Sequence, residues 1–406
     1  MKCRFDGTEL EDVFVDLVAS PASNSFLTKE ELNTSEAYYP LKLFVNKNNW
    51  LVQIDEYKNA SEIFGDEYVY YSSFSASWLK HAEEYVDMIV SKLSLDKNSL
   101  AVEIAANDGY LLQYFSKHSV PCYGVEPSKG PADVARKNGI KILGEYFGEA
   151  VSRELSSKNK ADLIIGNNVF AHVPVINDFI KGLKCLLKDD GVITLEFPHL
   201  MELVENNQFD TIYHEHFYYF SLLSVKEVME KHALQVFNVE QLSTHGGSLR
   251  VYIQHDSGPR EINNSVEELL GVEKTKGMNN IEYYKTFQNN VNEIKNKSLL
   301  FMLSEKEKGK SIVGYGAAAK GNTYFNYCGI KPDLIDYVVD ASPYKQGLYL
   351  PGSHIPVVSE EFIKNTKPDY ILILPWNLKD EIAEQLSYIR DWGGEFIVTI
   401  PCLEIF

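Results

Sequence analysis

Two imidazoles, a carboxylate and a phenol occupy four consecutive positions, Tyr213-His214-Glu215-His216, within the run from Gln208 to Ser221. Such groups are costly to bury unless they pair with one another or move protons. A histidine titrating near about pH 6.5 can take a proton at neutral pH, and general-base help of this kind supplies about 10² to 10⁴ in rate. A metal reading competes, because two histidines and a glutamate are good ligands. However, His214 and His216 stand at i, i+2 rather than in H-E-x-x-H, and no distant carboxylate or thiol set completes a site. No metal is expected there.

A ligand must be brought to this cluster, and the stretch able to do so lies about 100 residues earlier. Val102 to Leu112, V-E-I-A-A-N-D-G-Y-L-L, reads as a buried strand turning through Gly109 into a helix whose N-terminus faces a ligand. Ala105, Asn107 and Gly109 let the backbone approach a cofactor closely, and Asn107 or Asp108 can bond its amino acid end. Glu103 and Tyr110 flank this turn as further cofactor contacts. Glu126-Pro127 ends the next strand, where an acidic residue grips ribose hydroxyls; the alternative is that Glu126 only caps the following helix. Asn167 and Asn168 end a later strand and could fix cofactor or substrate. His172, in the same loop, is either a reacting group or a satisfied core histidine.

Two more loops could hold an anion. Thr244 to Arg250, T-H-G-G-S-L-R, carries Ser248 and a cation that could neutralise a diphosphate or be a structural arginine. Gly314 to Asn322 opens a helix after a strand, and Lys320 there suits a point-charge contact to phosphate. Its G-x-G-x-x-A pattern, with Asp340 ending the next strand-like run, also fits a nicotinamide site.

The elements that carry these loops alternate. Residues 1–75 are irregular and β-rich. Residues 76–260 alternate helix and strand as in a doubly wound parallel sheet, with its ligand site at the carboxyl ends of the strands. Residues 261–406 form a helical connector followed by a second Rossmann-like unit. The fold class expected is α/β, with separate cores because 406 residues exceed what one core usually serves. The formal charge of −18 opposes nucleic acid and anionic membrane as partners. No apolar run approaches the ~18 residues of a membrane span, and Met1 to Asp6 is no secretion signal, so a cytosolic protein is expected. Five scattered cysteines without C-x-x-C spacing point to reduced thiols.

These strings, taken together from about Cys3 to the C-terminus, resemble the S-adenosylmethionine-dependent C-methyltransferases that act on nucleotide-linked keto-deoxysugars. The resemblance implies a class I methyltransferase domain, S-adenosylmethionine as cofactor, and a monomer acting at C3 of a dTDP-linked 4-keto-deoxysugar. It implies His216 as the base, Glu215 as a sugar contact or orienter of the imidazole, and Tyr213 as donor to the oxyanion. It also implies an N-terminal tyrosine, Tyr68 or Tyr70, that reaches the sugar. Substrate contacts are implied from Ser248 and Arg250, from Lys320 and Asn322, and from Tyr344 and Lys345 in the loop Ser342 to Gly347. The family's N-terminal zinc ribbon has two C-x-x-C knuckles, which here read Cys3-Arg4-Phe5-Asp6 and Asn46-Lys47-Asn48-Asn49. One thiolate of four remains, so the module is expected to bind no zinc, to hold together by apolar packing, and to serve as a lid or wall. A nicotinamide-dependent sugar oxidoreductase or epimerase and a non-catalytic sugar-nucleotide binder are the alternatives.

Overall fold

The computed structural model describes residues 1–55, 57 and 71–406 and contains three sheets. Tyr68 and Tyr70 lie outside the described residues. In the N-terminal module β1 (Val13–Ser20), β2 (Tyr39–Val45) and β3 (Val52–Ile54) pair antiparallel. A fourth strand, β9 (Tyr218–Tyr219), comes from just beyond His216 and lays Tyr219 against Val52 and Tyr218 against Gln53. The sheet therefore crosses the boundary that composition places near residue 75.

The two degenerate knuckles still meet. Asp6 accepts hydrogen bonds from Asn46 Nδ2, at 3.1 and 3.0 Å to its two oxygens, and from Asn49 Nδ2 at 3.1 Å. Cys3 accepts from Gln53 Nε2 at 3.2 Å. Zinc does not fit this set: it wants four electron-pair donors in tetrahedral array, and two of the four positions turn amide donors inward. Apolar packing is thus only part of what holds the module. A polar clamp closes it.

The central sheet runs in the order β10-β11-β8-β7-β4-β5-β6. Its parallel strands are β4 (Ala101–Ile104), β5 (Cys122–Val125), β6 (Ile142–Leu143), β7 (Ala161–Asn167) and β8 (Leu187–Pro198). β11 (Ser248–His255) lies antiparallel between β8 and β10 (Leu234–Leu242). All four β4 residues are buried, as a strand covered on both faces requires. The C-terminal sheet orders its strands β14-β13-β12-β15-β16-β17. Here β12 (Ile312–Tyr315), β13 (Val338–Val339), β14 (Val357–Val358), β15 (Tyr370–Ile373) and β16 (Glu395–Val398) are parallel, and β17 (Glu404–Ile405) returns antiparallel. Strand order reverses at β4/β7 and at β12/β15, and such switch points open a crevice for ligand. Both α/β units expected from the alternation are present.

The expectation of separate cores needs correction. One cluster of buried apolar side chains runs from Phe14 to Ile400 through all three sheets, with two smaller clusters beside it. The helical segment, Asn264–Lys276, Ile281–Lys285 and Phe287–Glu307, is what joins them. Phe287 stacks on Phe14 with ring centroids 4.8 Å apart, and Gln288 Oε1 accepts from the Asp16 amide at 2.8 Å. Among the described residues no helix is long and apolar enough to cross a membrane.

Glu273 from this segment is sealed from solvent. Its carboxylate takes His199 Nε2 at 2.7 Å and the amides of Leu222 and Leu223 at 2.7 and 2.8 Å, capping the helix Leu222–Glu230. Removing one partner of a buried pair strands the other. Glu273→Ala should cost about 3 to 5 kcal/mol in urea unfolding, against about 1 kcal/mol or less for Glu205→Ala at the surface pair with Lys276.

Candidate active site

The loop after β4 is built to receive a ligand. Ala105, Asn107 and Gly109 have φ of 57°, 49° and 80°, a left-handed turn in which a side chain at Gly109 would run into Ile140. Glu126 bridges this turn to the next helix: its carboxylate takes the Asn107 amide at 2.9 Å and the Ser128 amide at 2.7 Å, with Pro127 between. Burial raises its pKa, and those amides offset part of the rise. The side chains of Asn107 and Asp108 accept the amides of Ser72 and Ser73 at 2.9 and 3.1 Å, which ties residues 72 and 73 to the loop after β4.

Several polar atoms at this sheet edge are buried with no partner among the described residues: Glu103 Oε2, Asp108 Oδ1, both amide atoms of Asn167, and Asn168 Oδ1. Burial drives the Glu103 carboxyl well above its usual range, opposed by a hydrogen bond from Tyr110. Buried polar atoms without partners are costly on their own, and the four oxygens among these suit a ligand that brings an ammonium group. S-adenosylmethionine carries one, together with ribose hydroxyls for Glu126. The residues present fit the cofactor.

The Y-H-E-H run faces the same crevice. His216 Nδ1 lies 3.1 Å from the Thr211 carbonyl, which can only accept, so Nδ1 carries the proton and Nε2 keeps its lone pair. The Tyr213 ring lies 4.1 Å and the His172 ring 4.7 Å from that of His216. The His172 imidazole is itself bonded to the backbone of Glu215, and burial pushes its pKa down to about 4. Burial also holds His216 well below the usual histidine value, with the neighbouring His172 and His245 imidazoles and the Lys320 charge adding to the depression and the Thr211 carbonyl opposing it. Glu215 Oε1 accepts from Asn24 Nδ2 at 2.6 Å, across from the N-terminal module. His214 turns the other way, with Nε2 donating to the Pro40 carbonyl at 3.2 Å, a packing role.

The C-terminal unit closes the crevice from the far side. Lys320 Nζ donates to Asn377 Oδ1 at 2.7 Å and sits 4.4 Å from the centre of the Trp376 ring. Trp376 Nε1 donates to Asp210 at 2.8 Å; burial lifts that carboxyl to about 6, moderated by Lys320 and the indole. Trp376 and Asn377 follow β15 at the switch point, and sequence reasoning missed both. Their position after a strand end was the available signal.

Some anticipated substrate contacts are engaged elsewhere. Arg250 is 4% exposed and pairs with Glu196 at 2.8 Å, while Tyr85 lies under its guanidinium. The structural-arginine alternative describes that placement. Ser248 Oγ donates to the Thr244 carbonyl at 2.9 Å, and Asn322, wholly buried, donates to the Ser23 carbonyl at 2.6 Å. Lys345 donates to the Ala317 carbonyl at 2.9 Å, and only Tyr344 stands exposed beside Tyr71. A cavity of about 340 Å³ lies between His199, Glu202 and the Gln241 to Ser248 turn, away from the Y-H-E-H side chains.

The depressed histidines leave a measurable trace. An unfolded histidine takes up its proton near about pH 6.5, while buried His172 refuses it, so this contribution is whole above that pH and is lost as pH falls. Asp210 and Glu103, raised by burial, pull oppositely. The histidine share is therefore read as a difference. The stability lost between pH 7.5 and 5.5 in urea unfolding should be smaller for His172→Gln than for the unsubstituted chain, and equal losses would refute the assignment.

Comparison with known proteins matches this architecture. Residues 243–401 match the family described as "C-methyltransferase C-terminal domain", residues 78–239 a "Methyltransferase domain", and residues 3–64 a "Putative zinc binding domain". The chain is 33% identical over 404 residues to the C-methyltransferase NovU of Streptomyces niveus, covering 98% of this chain and 95% of that protein. Among solved structures, the PH0226 protein of Pyrococcus horikoshii OT3 aligns at 15% identity and TM-score 0.37, over 49% of this chain and 99% of its own. Magnesium protoporphyrin IX methyltransferase of Synechocystis PCC 6803, solved with bound SAM, aligns at 15% identity and TM-score 0.33, over 48% and 88%. With a relative matched end to end and methyltransferase families on both Rossmann-like units, the chain belongs to the C-methyltransferase family, with S-adenosylmethionine as its cofactor.

Proposed function

We propose that this enzyme methylates C3 of a dTDP-linked 4-keto-deoxysugar, as a monomer in the cytosol, with His216 as the general base. The observation that carries the reading is the fixed tautomer of His216: the Thr211 carbonyl holds the Nδ1 proton and leaves Nε2 as an acceptor. A proton α to a ketone is acidic enough for a neutral imidazole to remove, and burial keeps this imidazole neutral. The C–H electron pair moves into an enolate whose oxygen Tyr213 can meet with its hydroxyl. Glu215, steadied by Asn24, would hold a sugar hydroxyl. Bound S-adenosylmethionine supplies the electrophilic methyl group that C3 takes. Lys320 and Tyr344 would support nucleotide diphosphate binding at the C-terminal crevice. The sugar and the carbon atom rest on the family resemblance.

His216→Ala should fold and bind both ligands yet lose about two to four orders of magnitude in turnover, the usual share of a general base. With S-adenosylhomocysteine present to block methylation, solvent deuterium should enter C3 in the unsubstituted enzyme and not in the variant. Exchange at an unchanged rate in His216→Ala would assign the base elsewhere, to His172 first.

A further inference from the structure

One imidazole in the crevice has no role in that scheme. His245 sits in the turn Thr244 to Gly247, where three successive residues, His245, Gly246 and Gly247, have φ of 55°, 88° and 115°. Glycines tolerate this region. A histidine there is strained, and strain of that kind persists where the surroundings over-determine it. Three contacts do so. Asn168 Nδ2 donates to His245 Nε2 at 3.0 Å, the Trp78 ring packs 5.0 Å from the imidazole, and Thr244 Oγ1 is anchored on the buried Glu196 at 3.0 Å. Glu196 is itself held by His81 and Arg250 at 2.9 and 2.8 Å. Because Nε2 accepts, the proton of the neutral ring is on Nδ1, which meets no partner among the described residues, and the residue as a whole is half-buried.

We propose that His245 is a catalytic residue whose Nδ1–H donates a hydrogen bond to the substrate oxygen that becomes negative when C3 loses its proton. This deepens the proposed function and rests on it. The ring lies at the cofactor side of the crevice through Asn168 and near Lys320 of the C-terminal unit. Burial, with the Lys320 charge beside it, lowers its pKa to about 4, so it acts as a neutral donor and does not compete with His216 for the proton. Tyr213 and His245 would then both donate to the enolate oxygen.

His245→Gly tests this without straining the fold, since glycine suits the left-handed turn. Loss of one such donor costs about 10² to 10³ in kcat. Deuterium entry at C3 should slow by the same factor, the dissociation constant of S-adenosylhomocysteine should stay within about twofold, and added imidazole should restore part of both rates by filling the vacated site. A variant whose exchange and turnover stay within about twofold of the unsubstituted enzyme, or whose losses imidazole cannot reverse, overturns the proposal. If the unsubstituted enzyme neither exchanges nor methylates the keto sugar, it is the proposed function that fails.

The N-terminal module carries a second inference on separate grounds. The chain matches a zinc-binding family over residues 3–64, yet the four knuckle positions hold Cys3, Asp6, Asn46 and Asn49. Among the described residues no group of three or more metal-ligating side chains exists that could hold an ion. Cys3, Asn46 and Asn49 are buried and all three are hydrogen-bonded to Asp6. We infer that the Asp6 carboxylate has taken the place of the metal: one anion collecting donors from both knuckles replaces one cation collecting thiolates.

Asp6→Ala should lower the thermal midpoint by several degrees, with no zinc found by elemental analysis in either protein. Replacing Asp6, Asn46 and Asn49 by cysteine, beside native Cys3, should create a site that takes one zinc per chain and regains the lost midpoint until a chelator is added. One equivalent of zinc in the unsubstituted chain, or no zinc uptake by the triple variant, would overturn the inference.

Discussion

Four polar groups of the segment around His216 are answered by residues from other parts of the molecule. The Ile212 carbonyl accepts from Thr323 at 2.8 Å and the Asp210 carboxylate from Trp376, both in the C-terminal unit. His214 donates to Pro40 and Glu215 accepts from Asn24, both in the N-terminal module. Each buried bond is worth about 0.5 to 1.5 kcal/mol net, and a buried group left without one costs more. The segment has its working shape only when all three parts are docked, and the continuous core from Phe14 to Ile400 is what docks them.

The two Rossmann-like units solve one problem in the same way. Asp340, at the end of the second strand, accepts the Ala317 amide of its glycine-rich turn at 2.8 Å and the Ser342 amide two residues on, also at 2.8 Å. Glu126 does the same for Asn107 and Ser128. In each case a carboxylate fixes a turn whose amides face the crevice, and it retains lone pairs for a ligand hydroxyl. The two units differ in what stands above that turn. Beside Glu126 are buried polar atoms lacking partners among the described residues; beside Asp340 is Lys345, at 3.5 Å.

Strand ends and the turns after them were legible in the sequence, because alternation, small residues and terminal acids are local signals. β5 ends at Val125, just before the Glu126-Pro127 strand end read from the sequence, and the loops after β4, β7 and β12 fall where the pattern put them. Partners distant along the chain were not legible. Arg250 has the composition of a phosphate ligand, but Glu196 and Glu240, on neighbouring strands, claim its charge. Asn322 looks like a loop contact, and its bond to the Ser23 carbonyl, 299 residues away, could not be read from the sequence. The knuckle remnants show the same limit from the other side: loss of cysteines is visible at once, whereas the bond from Asn46 to Asp6 depends on two turns meeting.

Pairing of β3 with β9 places a strict order on how the chain can mature during synthesis. The first fifty-odd residues leave the ribosome early, yet the edge of their sheet stays open until Tyr218 and Tyr219 are made. Through that interval β3 exposes a row of unpaired backbone donors and acceptors, the feature by which one sheet captures another chain. The strand that closes it follows His216 by two residues, so one short stretch of chain both covers the vulnerable edge and carries the histidine.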